Sequence, residues 1–491
     1  MVQGAMSSAG KSLLVTALCR IFTQRGIRVA PFKAQNMSNN AAVCADGGEI
    51  GRAQYTQALA CGLEPSVFMN PVLLKPQADM HSQVIVNGRV WETLPVRSYY
   101  ERKRSLWEYV TTALNSLREQ YELIIIEGAG SPVELNLKRG DIVNMAVAKY
   151  ASASVLLAGD IDRGGIFAQL LGTLMLLEPD ERNLVKGLLV NKFRGDPTLF
   201  EDGIEILETR GGVPVLGVIP YIKDLAIPEE DAVAIESKNR KSVTPGIVDI
   251  AVIALPRIAN FDDFDPLAAE TGVSLRYVSN VNEVGTPDAI ILPGTKSTMA
   301  DLMWLRERGL HECIVKQMRR GAVVVGICGG YQMLGERISD PQHVESKQDE
   351  IAGLGLLPIE TTFLGEKATF QSSACIVSDI SWLAELRGQP VVGYEIHMGS
   401  TLGAATWLNF TTRNQQAVDL PDGSISPDGR IWGCYLHGLF ANENLRRAWL
   451  HSLGWNPTAA AQLSSLDAAF DYLANSVEAH LNMQQLEEII G

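Results

Sequence analysis

Two consecutive α/β domains, each on a parallel sheet, are what the sequence predicts, and three observations predict them. Short β-rich runs alternate with helical stretches along the whole chain, which is the pattern of βαβ units. The runs are almost continuously apolar, as strands covered on both faces must be. One polar segment, "ESKNRKSVTPG" at 236–246, interrupts the pattern, and a chain of 491 residues is too long for a single core. The expected organisation is therefore a first domain over 1–236, a linker over 237–246, and a second domain over 247–455. The remaining segment, 456–491, turns helical and acidic and reads as a helical cap on the second domain.

The first-domain strands are "ELIIIEG", "SASVLLAGD", "KGLLVNKF" and "VPVLGVIP". A second series comprises "DIAVIALPR", "DAIILPG", "AVVVGICGG", "VVGYEIHMG" and "IWGCYLHGLF".

Composition narrows the function classes. A net charge of -14 argues against nucleic acid as a partner, since phosphate backbones call for clustered Lys and Arg. Seven scattered cysteines without a Cys-x-x-Cys pair suggest neither a disulfide framework nor a zinc site, and point to a reducing cytoplasm. No run of 18 or more apolar residues is present, and the N-terminus lacks the pattern of a secretory signal, so a membrane partner is not expected.

Near the N-terminus, "GAMSSAGKSLL" places Gly10, Lys11 and Ser12 before an apolar stretch with helical spacing. A glycine turn lets backbone NH groups close on phosphates, the lysine reaches the β and γ phosphates, and the serine hydroxyl ligates Mg²⁺. The usual first glycine is replaced by Ala5, with Gly4 one residue earlier. Glu127 ends a strand, where its carboxylate can hold the same Mg²⁺ as Ser12. Asn191 also ends a strand and is suited to pair with a base. Arg194 stands where a guanine reader has aspartate, which favours adenine, hence ATP. Lys33 and the amides Gln35, Asn36, Asn39 and Asn40 are candidate donors to an anionic substrate. Asp160 and Asp162 are candidates near the γ-phosphate, and Asp46 and Glu49 are further candidate metal ligands.

In the second domain, "VVVGICGGYQMLG" surrounds Cys328 with glycines after an apolar strand. This is the form of a nucleophile elbow: strand, strained turn, then a helix expected from Tyr331. The glycines make room, the NH after the nucleophile faces a developing oxyanion, and the helix N-terminus favours a thiolate. His437 and His397, each in or just after an apolar run, are the candidate bases.

"GICGGYQMLG" with "YLHGLF" resembles class I glutamine amidotransferases, which have a flavodoxin-like domain. Together with "PFKAQNMSNN", "EIGRAQ", "MNPVLLKP", "LPRIANFDDFDPL" and "LPGTKST" it resembles the cobyric acid synthase family. That resemblance implies a P-loop, dethiobiotin-synthetase-like ATP-binding domain followed by a glutaminase domain. It implies Cys328 as nucleophile, His437 as base, and Gly329 and Gly294 at the oxyanion. The implied reaction is ATP- and glutamine-dependent amidation of the b, d, e and g carboxylates of a cobalt corrinoid, adenosylcobyrinic acid a,c-diamide, through acyl phosphates. ATP with Mg²⁺ is the co-substrate, with no permanently bound cofactor. The common class I pattern has glutamate two residues after the histidine, and Leu439 stands there, so what orients His437 stays open. Two alternatives stand beside this: a synthase for the a,c-diamide itself, and a non-catalytic P-loop ATPase with a degenerate amidotransferase module. Oligomeric state is left open.

Overall fold

A computed structural model of the chain describes residues 1–77, 80–223, 225–228, 247–403, 405–456 and 465–491. The linker expected at 237–246 lies outside the described residues.

In the first half, four strands form a parallel sheet in the order Val2–Gly4, Val155–Asp160, Val185–Phe193, Val215–Pro220. A parallel pair, Val29–Phe32 with Leu123–Ile126, joins its edge through a bridge between Val2 and Glu127. Parallel strands end at one edge together, so Gly4, Glu127, Asp160 and Asn191 all reach the carboxyl edge, where α/β folds bind ligands. Helix α1 (Lys11–Gln24) leaves the loop after Gly4; its stripe of Leu14, Leu18, Ile21 and Phe22 is buried. Helix α2 (Arg52–Ala60) follows the hairpin Ala41–Val43 with Glu49–Gly51.

The second half carries the parallel order Val273–Val278, Val248–Ile253, Ala289–Leu292, Val323–Ile327, Ile431–Cys434. "VVGYEIHMG" departs from the expectation: it belongs to the strand Pro390–Gly403, which pairs antiparallel with Ile359–Ile376 in a separate sheet. Only Val391, Glu395 and Ile396 are buried along it, which is the mixed exposure of a sheet with a wetter face and not of a strand covered on both.

The C-terminal segment also corrects an expectation. Helix Leu466–Glu478 caps the first half, not the second. Phe470, Leu473 and Val477 share a core with Leu14, Leu18 and Phe22 of α1, and Arg20 Nε lies 2.7 Å from Asp471. An amphipathic stripe declares that a helix packs but not on what, and α1 offered the matching apolar face. All seven cysteines are free thiols, and among the described residues no helix is long and apolar enough to cross a membrane.

Candidate functional site

Two sites are built by the described residues. The first is a cleft of about 1670 Å³ at the carboxyl edge of the first sheet, lined by Gly10, Lys11, Ser12, Lys33, Gln35, Asn36, Glu127, Asp160 and Asn191 among others. Gly10 takes φ 88°, a left-handed conformation that starts α1 and suits glycine. Gly4 explains the shifted glycine: a Cβ there would stand 3.0 Å from Lys11 Nζ and 2.8 Å from the Met6 carbonyl. The lysine thus folds back over the loop, reaching the Gly130 carbonyl at 3.3 Å.

Ser12 Oγ donates to Glu127 Oε1 at 2.9 Å. Lys33 Nζ lies 2.7 Å from the same oxygen, and Gln57 and Gln54 of α2 donate to Oε2 at 2.6 and 3.4 Å. Burial would raise the Glu127 carboxyl, but Lys33, with Gln57 and Lys11, holds it below the usual carboxylate range. A serine hydroxyl and a carboxylate are hard oxygen donors, the kind Mg²⁺ takes, so the pair fits that ion. Asp160 Oδ2 accepts from Lys192 Nζ at 2.9 Å, and Lys192 also holds the Ser8 carbonyl of the phosphate loop.

Several sequence expectations meet a different geometry. Asp46 is exposed in the hairpin turn, where its carboxylate accepts from Gly48 N at 2.9 Å; it does not line the cleft with Ser12 and Glu127. Glu49 is buried between Lys75 and Lys367 and is held at about 2, since burial is outweighed by the two ammonium groups. It serves an ion cluster, not the cleft. Asn40 accepts from the Asn260 backbone NH at 2.6 Å and so fastens the two halves together. Asn191 lines the cleft, but its amide nitrogen donates to the Ala9 carbonyl at 2.8 Å and braces the phosphate loop. Gln35 and Asn36 are tied to Tyr99 and Gln54.

The second site surrounds Cys328, which has φ 51° and ψ -111°, a strained conformation of the elbow type. The helix after it begins at Gly329, two residues earlier than expected. The glycines are sterically required. A Cβ at Gly330 would stand 1.9 Å from the Leu292 carbonyl oxygen, and one at Gly326 would stand 2.7 Å from Gly330 backbone atoms. The first NH groups of a helix have no intrahelical acceptor, and Gly329, which directly follows Cys328, holds that position here.

His437 is buried. Its Nδ1 lies 2.6 Å from Asp263 Oδ2, while Gly438 N donates to Asp263 Oδ1 at 2.8 Å. Burial would push the imidazole down, but the Asp263 carboxylate and the neighbouring Cys328 sulfur outweigh it and push it up to about 10. Asp263 thus takes the place in which the common class I pattern has a glutamate. It sits in "NFDDFD", a motif visible in the sequence without any sign of its partner, 174 positions away. His397 is engaged otherwise: it stacks on Tyr435 at 3.8 Å and lies 3.4 Å from Glu395, whose carboxylate is gripped by Arg413 and Ser372. Gly294 does not line the pocket; Thr295 and Lys296 do. A Cβ at Gly294 would meet His437 Cε1 at 2.8 Å, so that glycine makes room for the ring.

The Cys328 cavity is small, about 50 Å³, and is shared between the halves, since Lys75 and Gln77 line it beside Lys296, Glu345 and Lys367. The sequence reading missed Asp263, Gln54, Gln57, Lys192 and these lysines. Most lie inside motifs that marked the family but assigned them no chemistry.

The chain matches two family models: the CobQ/CobB/MinD/ParA nucleotide binding domain over residues 1–233, and the CobB/CobQ-like glutamine amidotransferase domain over 249–445. It is 57% identical over 489 residues to a cobyric acid synthase of Roseiflexus castenholzii, covering 99% of this chain and 97% of the relative. The chain belongs to the cobyric acid synthase family. Cobyric acid synthases of Herpetosiphon aurantiacus and Moorella thermoacetica are 54% and 48% identical, covering all of this chain and 98% and 97% of theirs. As a member of this family the chain is a glutamine-dependent amidoligase of cobyric acid synthesis, with ATP as co-substrate.

The two histidines separate in one experiment. A general base contributes roughly 10²–10⁴ in rate. His437→Ala should therefore nearly abolish alkylation of Cys328 by a glutamine-like electrophile, and Asp263→Asn should slow it strongly. His397→Ala should still be alkylated. Alkylation lost in His397→Ala and kept in His437→Ala makes His397 the base.

Proposed function

We propose that the chain amidates the b, d, e and g side-chain carboxylates of adenosylcobyrinic acid a,c-diamide to give adenosylcobyric acid, using one ATP and one glutamine for each. Residues 1–236 act as the synthetase and 247–455 as the glutaminase. The observation that carries the reading is the pairing, in one chain, of a Cys328–His437–Asp263 arrangement with a phosphate-loop cleft of about 1670 Å³. Pockets for small ligands run to about 300–1,000 Å³, so the cleft has room for a nucleotide and a large acceptor together.

In the glutaminase, the Cys328 thiol proton passes to His437, which Asp263 helps to hold protonated, and Sγ then attacks the carboxamide carbon of glutamine. The oxyanion is met by the Gly329 NH at the helix start. The C–N bond then breaks as His437 gives its proton to the departing nitrogen. Ammonia leaves, and water opens the thioester to glutamate and free thiol. Asp263 keeps His437 in the tautomer and orientation that both transfers need.

In the cleft, an acceptor carboxylate oxygen attacks the γ-phosphorus of ATP and ADP departs. Ammonia attacks the acyl phosphate carbon and phosphate departs, leaving the amide. Lys11 and the loop NH groups are placed to meet phosphate charge. Ser12 and Glu127 would hold Mg²⁺, which supplies further neutralisation of the β and γ phosphates when bound. Asp160, with Lys192, lies at the next strand end and fixes the loop opposite them.

Mass spectrometry of the corrinoid after incubation with ATP and glutamine tests this. The expected product has lost one mass unit at each of four carboxylates of the a,c-diamide. Consumption of cobyrinic acid with two such losses, and none on the a,c-diamide, overturns it in favour of the sister synthase.

A further inference from the structure

Arg52, in the first half of the chain, opens α2 and reaches into the other half. Its Nε lies 3.0 Å from Asp262 Oδ2, with the two side chains only 10% and 9% exposed. Its Nη2 donates to the Tyr394 hydroxyl at 2.5 Å, and the guanidinium stands over the Tyr394 ring, 5.1 Å from its centre. That ring stacks on His437 with centroids 5.2 Å apart, and the Tyr394 and His437 backbones exchange hydrogen bonds of 2.9 and 3.1 Å.

Asp262 and Asp263 are consecutive and both little exposed. Two neighbouring buried carboxylates resist ionising together unless a cation compensates them. Among the described residues Asp262 Oδ1 accepts no hydrogen bond, so Arg52 is the compensating charge at that carboxylate. Even beside Arg52, burial pushes Asp262 up to about 6. Removing the guanidinium leaves Asp262 without its cation and Tyr394 without its brace, and so loosens the segment that aims Asp263 at His437.

We infer that Arg52 is a positioning residue for the glutaminase, supplied by the nucleotide-binding half: it pairs with Asp262 and braces Tyr394 so that Asp263 and His437 stay aligned with Cys328. The glutaminase is therefore completed across the boundary between the two halves. The same helix carries Gln54 and Gln57 onto Glu127, so one short element supports groups at both sites. The inference rests on the proposed reading of Cys328, His437 and Asp263.

The test uses the full-length protein, with glutaminase kcat and KM measured beside amidation driven by ammonium salts. Arg52→Ala should lower glutaminase kcat roughly tenfold to a hundredfold, the scale of a misplaced catalytic group. The KM for glutamine and ammonium-driven amidation should stay close to wild type. Arg52→Lys, which keeps the charge but loses the fork, should recover part of kcat. An unchanged kcat in Arg52→Ala overturns the inference, as does an equal loss of ammonium-driven amidation. Wild-type protein without any glutaminase activity overturns the underlying reading of the site instead.

Discussion

Cys328→Ser is expected to abolish amidation driven by glutamine and to leave amidation driven by added ammonium salts. The reason is spatial. Cys328 ends a strand of the second parallel sheet, whereas Lys11, Ser12 and Glu127 gather at the edge of the first. On the proposed reading the sulfur serves only to release ammonia, and a serine hydroxyl is a far weaker nucleophile than the thiolate it replaces. The elbow geometry is kept, since serine fills the same strained turn between Ile327 and Gly329. Equal loss with both nitrogen sources refutes this division of labour.

Lys11→Ala and Glu127→Gln are expected to lose amidation with either nitrogen source while keeping glutaminase activity. Phosphoryl transfer depends on positioned charge, and removing one such group costs on the order of 10²–10³ in rate. Glu127 also holds Ser12, Lys33, Gln54 and Gln57, so its change should disturb the foot of the cleft as well as any ion there. Thermal unfolding of each variant separates lost chemistry from lost folding. Near-normal amidation in both refutes the assignment of the nucleotide site.

How much of this was legible in the sequence depends on whether the cause is local. The turn at Cys328 is local: glycine at 326 and 330 is demanded by backbone a few residues away or one strand over, glycine at 329 by Thr295 and Thr298, and a pattern of glycines shows it. The phosphate loop is local for the same reason, and the apolar runs announce their buried strands.

Asp263 is not local. Nothing at Leu439 or near it says that the carboxylate for His437 comes from "NFDDFD", because only the fold brings the two segments together. Asp46, Asn40 and Glu49 misled for a related reason. A polar residue in a glycine-rich or amide-rich stretch can face a ligand, cap a turn or fasten an interface, and the stretch reads the same in each case. The C-terminal helix shows the limit for packing: its stripe of Phe470, Leu473 and Val477 required a partner but could not name α1.

On the proposed reading, ammonia made at Cys328 is what the cleft puts onto the corrinoid. The most direct measurement follows glutamine carrying heavy nitrogen in its amide, supplied with ATP, the a,c-diamide and a low level of unlabelled ammonium. Wild-type protein should place the heavy nitrogen in the new amides, and Cys328→Ser should form the same amides from unlabelled ammonium alone. Unlabelled product from the wild type, or labelled product from Cys328→Ser, contradicts it.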